Sequence, residues 1–281
     1  MRKILSVLLL LLLINSSVSF GQFRIPYGGK LLSSFDSNIE LQELREYIIK
    51  NIYNLDVEKA SGTVYKYILL MRHEKPELEK EINSYLENKN IRIDISKISG
   101  ENLDMITDRD LKLKLNEIIQ DGYYICEKEN KLFLQIDYGK LSGYSYYLDN
   151  ELNNYIEIFS NECIRPSWEC GSFSISEYEF ASRLIEEYEF YRSSMKYCDG
   201  ELKSLINSRL NMLNKGLSNY PLTNKDGYLN EYYYNVYMAL GTSNQSGELR
   251  NFGLDVLYLL NINNRKYDEK IDAVYKEIYL K

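Results

Sequence analysis

The chain has 281 residues, with 34 Lys and Arg against 41 Asp and Glu, which gives a formal net charge of −7. This acidic balance argues against nucleic-acid binding, which depends on Lys and Arg meeting phosphate groups. One histidine excludes a zinc site with two histidine ligands, and a hydrophobic content of 44% argues against disorder. We therefore expect a folded protein with no nucleic-acid partner.

The N-terminus has the pattern of an export signal. Basic residues after Met1 precede the apolar run 4–14, and Ser19 and Gly21 fit the −3 and −1 positions of a signal-peptidase site. The run is shorter than the about 20 residues that span a bilayer, although an uncleaved anchor is the alternative. We expect residues 1–21 to be removed and the mature chain, without stable membrane insertion, to be periplasmic or extracellular.

Residues 22–121 have the apolar periodicity of helices. Ser37 opens a capping box, and further helical patterns cover 61–73 and the stretch after Pro76, which suits the first turn of a helix. Alternating isoleucines over 91–95 are consistent with a short strand. This part of the chain is therefore predicted to be an N-terminal helical region.

The spacing of apolar residues changes near residue 122 from a helical period to that of strands, which marks a candidate domain boundary. A helix over 108–120 precedes Gly122, which is a candidate C-terminal cap. Aromatic and branched residues over 123–127 and 132–137 flank a polar turn, which predicts a β-hairpin. We expect a second region over 122–281, while 22–281 is also short enough to be one domain.

Helical patterns dominate after the hairpin. The best capping box is Ser176 with Glu179, and Ile175 and Phe180 form its hydrophobic staple. Predicted helices cover 149–162, 176–195, 201–217, 229–240, 247–260 and 268–279. Their short connections favour antiparallel neighbours, which predicts a mainly α fold: an irregular bundle or a TPR-like stack of helical hairpins, with one small β-hairpin at about 123–137.

About 40% of the chain, from residue 136 to about 246, resembles a group of uncharacterised secreted proteins of low-GC bacteria. The residues that carry the resemblance are Ile136-Asp137-Tyr138, Leu148, Glu151-Leu152, Tyr155-Ile156, Ile175-Ser176, Glu179, Arg183, Glu189-Phe190, Gly216, Asn219 and Pro221. The resemblance implies a TPR-like, extracytoplasmic domain of helical hairpins and implies no particular activity. The chain departs from the group at Cys198-Asp199, where the group has a turn that contains proline.

Four cysteines, Cys126, Cys163, Cys170 and Cys198, form an even set in a chain that we expect to leave the reducing cytosol. Of the three possible connectivities, we favour Cys163 with Cys170, which closes a short loop, and Cys126 with Cys198. Four reduced thiols are the alternative. Because no Cys-x-x-Cys spacing occurs and no histidine lies near the cysteines, we expect no metal site. The chain has no Gly-rich phosphate loop, and we expect no cofactor.

Three patterns suggest chemistry but have simpler explanations. Asn224-x-Asp226-Gly227 is similar to part of a calcium loop, yet a plain Asp-Gly turn accounts for it. The acidic stretch over 177–189 could supply paired carboxylates for glycoside hydrolysis, or be a solvated helix face. His73, expected at a helix end, needs no catalytic role there because it would interact favourably with the helix dipole.

Aromatic residues provide the candidate partner contacts. Trp168, the one tryptophan, lies between Cys163 and Cys170, where it either anchors a partner or packs on the core. The 27 tyrosines reflect either AT-rich codons or a stacking surface, and Tyr188 and Tyr191 are the candidates that accompany Trp168. We expect a non-enzymatic module that binds a protein or peptide. A carboxylate-dependent hydrolase acting on cell-wall or host glycan is the alternative.

Overall fold

The computed structural model gives a mainly α-helical protein in two compact units. Its described residues are 41–91, 103, 106–128, 131–169, 172–194, 196–197, 199–244 and 247–279. Across these ranges there are ten α-helices and three two-stranded antiparallel sheets, so the predicted fold class is confirmed. The predicted signal peptide, the capping box at Ser37 and residues 92–95 of the isoleucine stretch lie outside the described residues.

The first unit ends at Asn153 and combines long helices with the predicted hairpin. Its elements are α1 (Leu41–Asn51), a 3-10 turn (Ile52–Asn54), α2 (Val57–Lys89), α3 (Arg109–Gln120), β1 (Tyr123–Lys128), β2 (Lys131–Ile136), α4 (Tyr138–Leu141), a second 3-10 turn (Ser142–Tyr147) and the start of α5 (Asn150–Ile164). Gly122 has a φ of 82°, the left-handed conformation predicted for it after α3.

The prediction of two helices separated near Pro76 is wrong, because α2 is one helix of 33 residues. Proline lacks the N–H that a helix needs and its ring crowds the preceding turn. In that turn, the hydroxyl of Tyr123 donates to the carbonyl oxygen of Met71 at 2.6 Å. The carbonyl that Pro76 leaves without its helical N–H donor is that of Arg72, so the bond to Met71 joins β1 to α2 and does not replace the missing bond. His73 lies inside this continuous helix, exposed, and not at a helix end.

The hairpin pairs Tyr123 with Ile136 through to Lys128 with Lys131, as predicted. Side chains of α2 bind the outer edge of β2: Glu79 Oε1 accepts from the N–H of Leu134 at 2.9 Å. Asn83 accepts from the N–H of Leu132 and donates to its carbonyl, both at 2.8 Å. These bonds attach the hairpin to α2 within the first unit, which extends to Asn153.

The second unit begins at Asn154 and consists of helical hairpins with very short strands between them. Its elements are the remainder of α5, β3 (Trp168–Glu169), β4 (Ser172–Phe173), α6 (Glu177–Ser193), α7 (Gly200–Lys215), β5 (Gly216–Leu217), β6 (Tyr220–Pro221), α8 (Glu231–Thr242), α9 (Gly247–Ile262) and α10 (Glu269–Ile278). These six helices are the ones predicted from the apolar pattern after the hairpin. Most of their ends lie within a few residues of the predicted positions.

A glycine pair allows α8 and α9 to pack unusually closely. A methyl group added at Gly253 would lie 2.7 Å from the backbone nitrogen of Gly241 and 3.0 Å from the carbonyl oxygen of Tyr237. The first distance is shorter than carbon tolerates and the second is tight, so this helix crossing depends on the absence of a side chain at residue 253.

We predict that Gly253→Ala lowers the free energy of unfolding by about 2 kcal/mol, because the new methyl group forces α8 and α9 apart. Gly62→Ala is the matched control, since nothing lies within 4 Å of the position of its added methyl group. That change should raise the free energy of unfolding by about 0.5–1 kcal/mol through helix propensity. Urea denaturation of both variants measures the two changes in the free energy of unfolding. A Gly253→Ala protein as stable as the parent would contradict the close contact between α8 and α9.

Candidate functional site

Arg209 is fully buried in the second unit and is bound by three side chains. Its Nε and Nη2 donate to the two carboxylate oxygens of Glu187 at 2.6 and 2.7 Å. Nη2 also donates to Glu162 at 2.7 Å, and Nη1 donates to the hydroxyl of Ser167. Because these groups belong to α5, the segment before β3, α6 and α7, one guanidinium joins four parts of the chain.

A second layer of ion pairs covers this buried core. Arg183 donates to Glu179 at 2.8 Å and to the carbonyl oxygen of Arg165 at 2.7 Å, and it lies 3.4 Å from Glu162. Arg165 also pairs with Glu179 at 3.1 Å. The predicted cap at Ser176 is present, since its hydroxyl accepts from the N–H of Glu179 at 3.3 Å. We call Glu162, Ser167, Glu179, Arg183, Glu187 and Arg209 the charge cluster.

The charge cluster has the electrostatics of a structural clamp. Burial raises the pKa of Glu187, and the Arg209 guanidinium opposes that rise. A bidentate pair of this kind engages both carboxylate oxygens, so neither is directed at a substrate. The acidic stretch of α6 is therefore not simply a solvated face: Glu179 and Glu187 bind arginines, while Glu186 accepts from the hydroxyl of Ser182 at 3.2 Å.

The predicted partner contacts occupy different environments. Trp168 pairs with Phe173 in the β3–β4 hairpin, and only the backbone of Trp168 is described. Tyr188 is buried and its hydroxyl donates to Glu248, which also accepts from Arg192 at 2.7 Å. Tyr188 therefore ties α6 to the first turn of α9. Tyr191 is half-buried in the last turn of α6. A role in partner binding stays a prediction for all three residues.

Two cysteines fall within the described residues. Cys126 lies in β1 and Cys163 in α5, and both are half-buried. Cys170 and Cys198 lie outside the described residues, so both disulfide pairings stay predictions.

The Asp-Gly segment after β6 forms a turn closed by its own side chain. Asn224 Oδ1 accepts from the N–H groups of Asp226 and Tyr228, each at 3.0 Å, and Gly227 has a φ of 81°. This is an Asx turn, in which the side-chain oxygen binds backbone amides. Across the described ranges, no group of three or more His, Cys, Asp or Glu residues is placed to hold a metal ion.

The surface that sequence reasoning missed lies on α9. Leu254, Tyr258 and Ile262 follow one another at intervals of four residues and are 45%, 66% and 60% exposed. The opposite side of the same helix is buried and also apolar, through Leu249, Phe252, Val256 and Leu260. A helix with apolar residues on both sides is normally buried on both sides. Its outer row is therefore a candidate binding surface.

One exposed apolar residue of α8 lies at a similar height along the α8–α9 pair. Gly241 lies against Leu254, and the guanidinium of Arg265, just past α9, lies 4.2 Å from the centre of the Tyr234 ring. These two contacts set an antiparallel alignment of α8 and α9 that brings Met238, 40% exposed, level with Tyr258. We call Met238, Leu254, Tyr258 and Ile262 the α8–α9 face. A helical wheel of residues 247–262 would have revealed most of it.

Searches among protein-family models, curated proteins and solved structures give no match to this chain. Within the part of the chain that the structure describes, every helix is too short or too polar to cross a membrane.

We predict that Arg209→Met lowers the free energy of unfolding by about 3–5 kcal/mol, because Glu187 would be left as a buried, unpaired charge. The double variant Arg209→Met with Glu187→Met should recover most of that loss, since apolar groups of similar size can replace a buried ion pair. Urea denaturation of the two single variants and the double variant completes the cycle.

Lys50→Met is the matched control for the cycle, because it removes an exposed ion pair with Glu46 at 2.9 Å. This change should alter stability by less than about 1 kcal/mol. If Arg209→Met lowered the free energy of unfolding no more than Lys50→Met, the charge cluster would not hold α5, α6 and α7 together.

Proposed function

We propose that this protein is an exported, non-enzymatic helical module that binds a protein or peptide partner through the α8–α9 face. The observation that supports this proposal is the exposed apolar row of Leu254, Tyr258 and Ile262 on a helix whose other side faces the core. Contiguous apolar residues on a soluble protein commonly mark interaction sites. Helical hairpins also offer extended surfaces suited to protein ligands. The signal-like N-terminus supports export.

The alternative is a carboxylate-dependent hydrolase acting on cell-wall or host glycan. Such an enzyme needs two carboxyl groups in contrasting environments beside an accessible glycosidic bond. Glu162 and Glu187 lie in contrasting environments, but both bind Arg209. That engagement favours the binding module over the hydrolase.

Capture experiments with mature residues 22–281 test the proposal. We expect the immobilised parent to retain one protein in stoichiometric amount from the envelope extract or medium of the producing organism. Tyr258→Glu should reduce that retention about tenfold or more, because a charge replaces a central aromatic contact. Mass spectrometry of the retained fraction identifies the bound protein and measures its amount for the parent and for the variant.

Tyr146→Glu is the matched control, because Tyr146 is 89% exposed and belongs to the first unit. This variant should retain the partner like the parent, and both variants should melt at the parent's temperature. Equal retention by Tyr258→Glu and Tyr146→Glu would contradict the assignment of the face. Retention of polysaccharide, followed by its cleavage, would favour the hydrolase.

A further inference from the structure

The charges around the α8–α9 face identify the kind of partner segment that it fits. Arg250 is exposed one turn before Leu254, and Arg265 follows Ile262 by three residues. Lys266, next to Arg265, lies 5.1 Å from the centre of the Tyr228 ring. A chain with a net charge of −7 thus has basic residues at both ends of its exposed apolar row.

The stretch of the chain between Arg250 and Arg265 has one charged side chain, that of Asp255. From residue 256 to residue 264 the sequence has no charged side chain. Within α9 itself the acidic residues are Asp255, which lies beside the row, and Glu248, which accepts from Tyr188 and Arg192. Leu254 to Ile262 spans two helical turns, about 12 Å at 1.5 Å per residue. An apolar row of this length suits the i, i+4, i+7 anchors of an amphipathic helix.

We infer that the segment bound by the α8–α9 face is an amphipathic helix with acidic residues at both ends of its apolar stripe. This inference rests on the proposed function and specifies its partner. Acidic side chains at those ends would meet Arg250 at one end and Arg265 with Lys266 at the other, which orients the helix along the row.

A second copy of the chain fits the same face poorly. In an antiparallel pair of α9 helices centred on Tyr258, Arg250 of each copy would approach Arg265 and Lys266 of the other. In a parallel pair, each arginine would approach its own counterpart. Like charges oppose both arrangements, whereas an acidic helix neutralises them.

Two synthetic helical peptides with the same leucine stripe test the inference. One carries glutamates at both ends of the stripe and the other carries lysines, and fluorescence anisotropy measures their binding to residues 22–281. We expect the glutamate peptide to bind about tenfold tighter, with a preference that weakens as salt is raised. Arg250→Glu should reduce this preference, whereas Asp255→Lys should increase it. Tyr258→Glu should remove binding of both peptides.

The outcomes separate this inference from the proposed function. Equal affinity for the two peptides, or tighter binding of the lysine peptide, would overturn the acidic-helix assignment while Tyr258-dependent capture could still hold. If neither peptide bound, and Tyr258 were instead required for binding to vesicles of anionic lipid or for dimerisation, the acidic-helix assignment would be overturned. Loss of Tyr258 dependence in both capture and peptide binding would overturn the proposed function as well.

Discussion

The second unit depends on one buried positive charge. Arg209 is shielded from water, so its guanidinium requires carboxylates and a hydroxyl at fixed positions around it. Those groups reside on separate helices and on the segment before β3, and a slip of any one helix would leave a charge unpaired. The net free energy from such a cluster is small compared with apolar packing, but its geometric demands are strict. By fixing α5, α6 and α7, the cluster provides the frame on which α8 and α9 pack.

Buried tyrosines supply further hydrogen bonds between segments that are distant in sequence. Tyr67 donates to the carbonyl of Asp121 at 2.9 Å, Tyr232 to that of Ile175 at 3.0 Å, and Tyr237 to that of Leu213 at 2.8 Å. In each case the ring is buried while the hydroxyl binds a backbone oxygen distant in sequence. An abundance of tyrosine thus builds a core in which apolar packing and directional hydrogen bonds act through the same side chain. Tyr258 is an exception, because its ring is directed to solvent.

Local chemistry allowed much of this fold to be predicted, and long-range pairing accounts for what was missed. The cap at Ser176, the turn at Gly122 and the β1–β2 hairpin follow from neighbouring residues, and all three are present. The continuity of α2 through Pro76 was missed because a helix of this length is stabilised by tertiary packing, which the local signal at a proline does not reveal. Glu187 could not be distinguished from its acidic neighbours, since its partner Arg209 is 22 residues away. The outer row of α9 was readable from the helical period, but assigning it to a surface required knowing which side of the helix packs inward.

The proposed function requires that the α8–α9 face is exposed in the isolated protein and covered when the partner is bound. Oxidative footprinting of tyrosines measures this directly, because Tyr258, Tyr146 and Tyr178 are all well exposed in the isolated chain, at 66%, 89% and 72%. The three should react similarly in the purified protein. In the producing organism's envelope or medium, where the partner is present, we expect Tyr258 to become protected while Tyr146 and Tyr178 stay reactive. Equal labelling of all three tyrosines in both settings would contradict the proposed function.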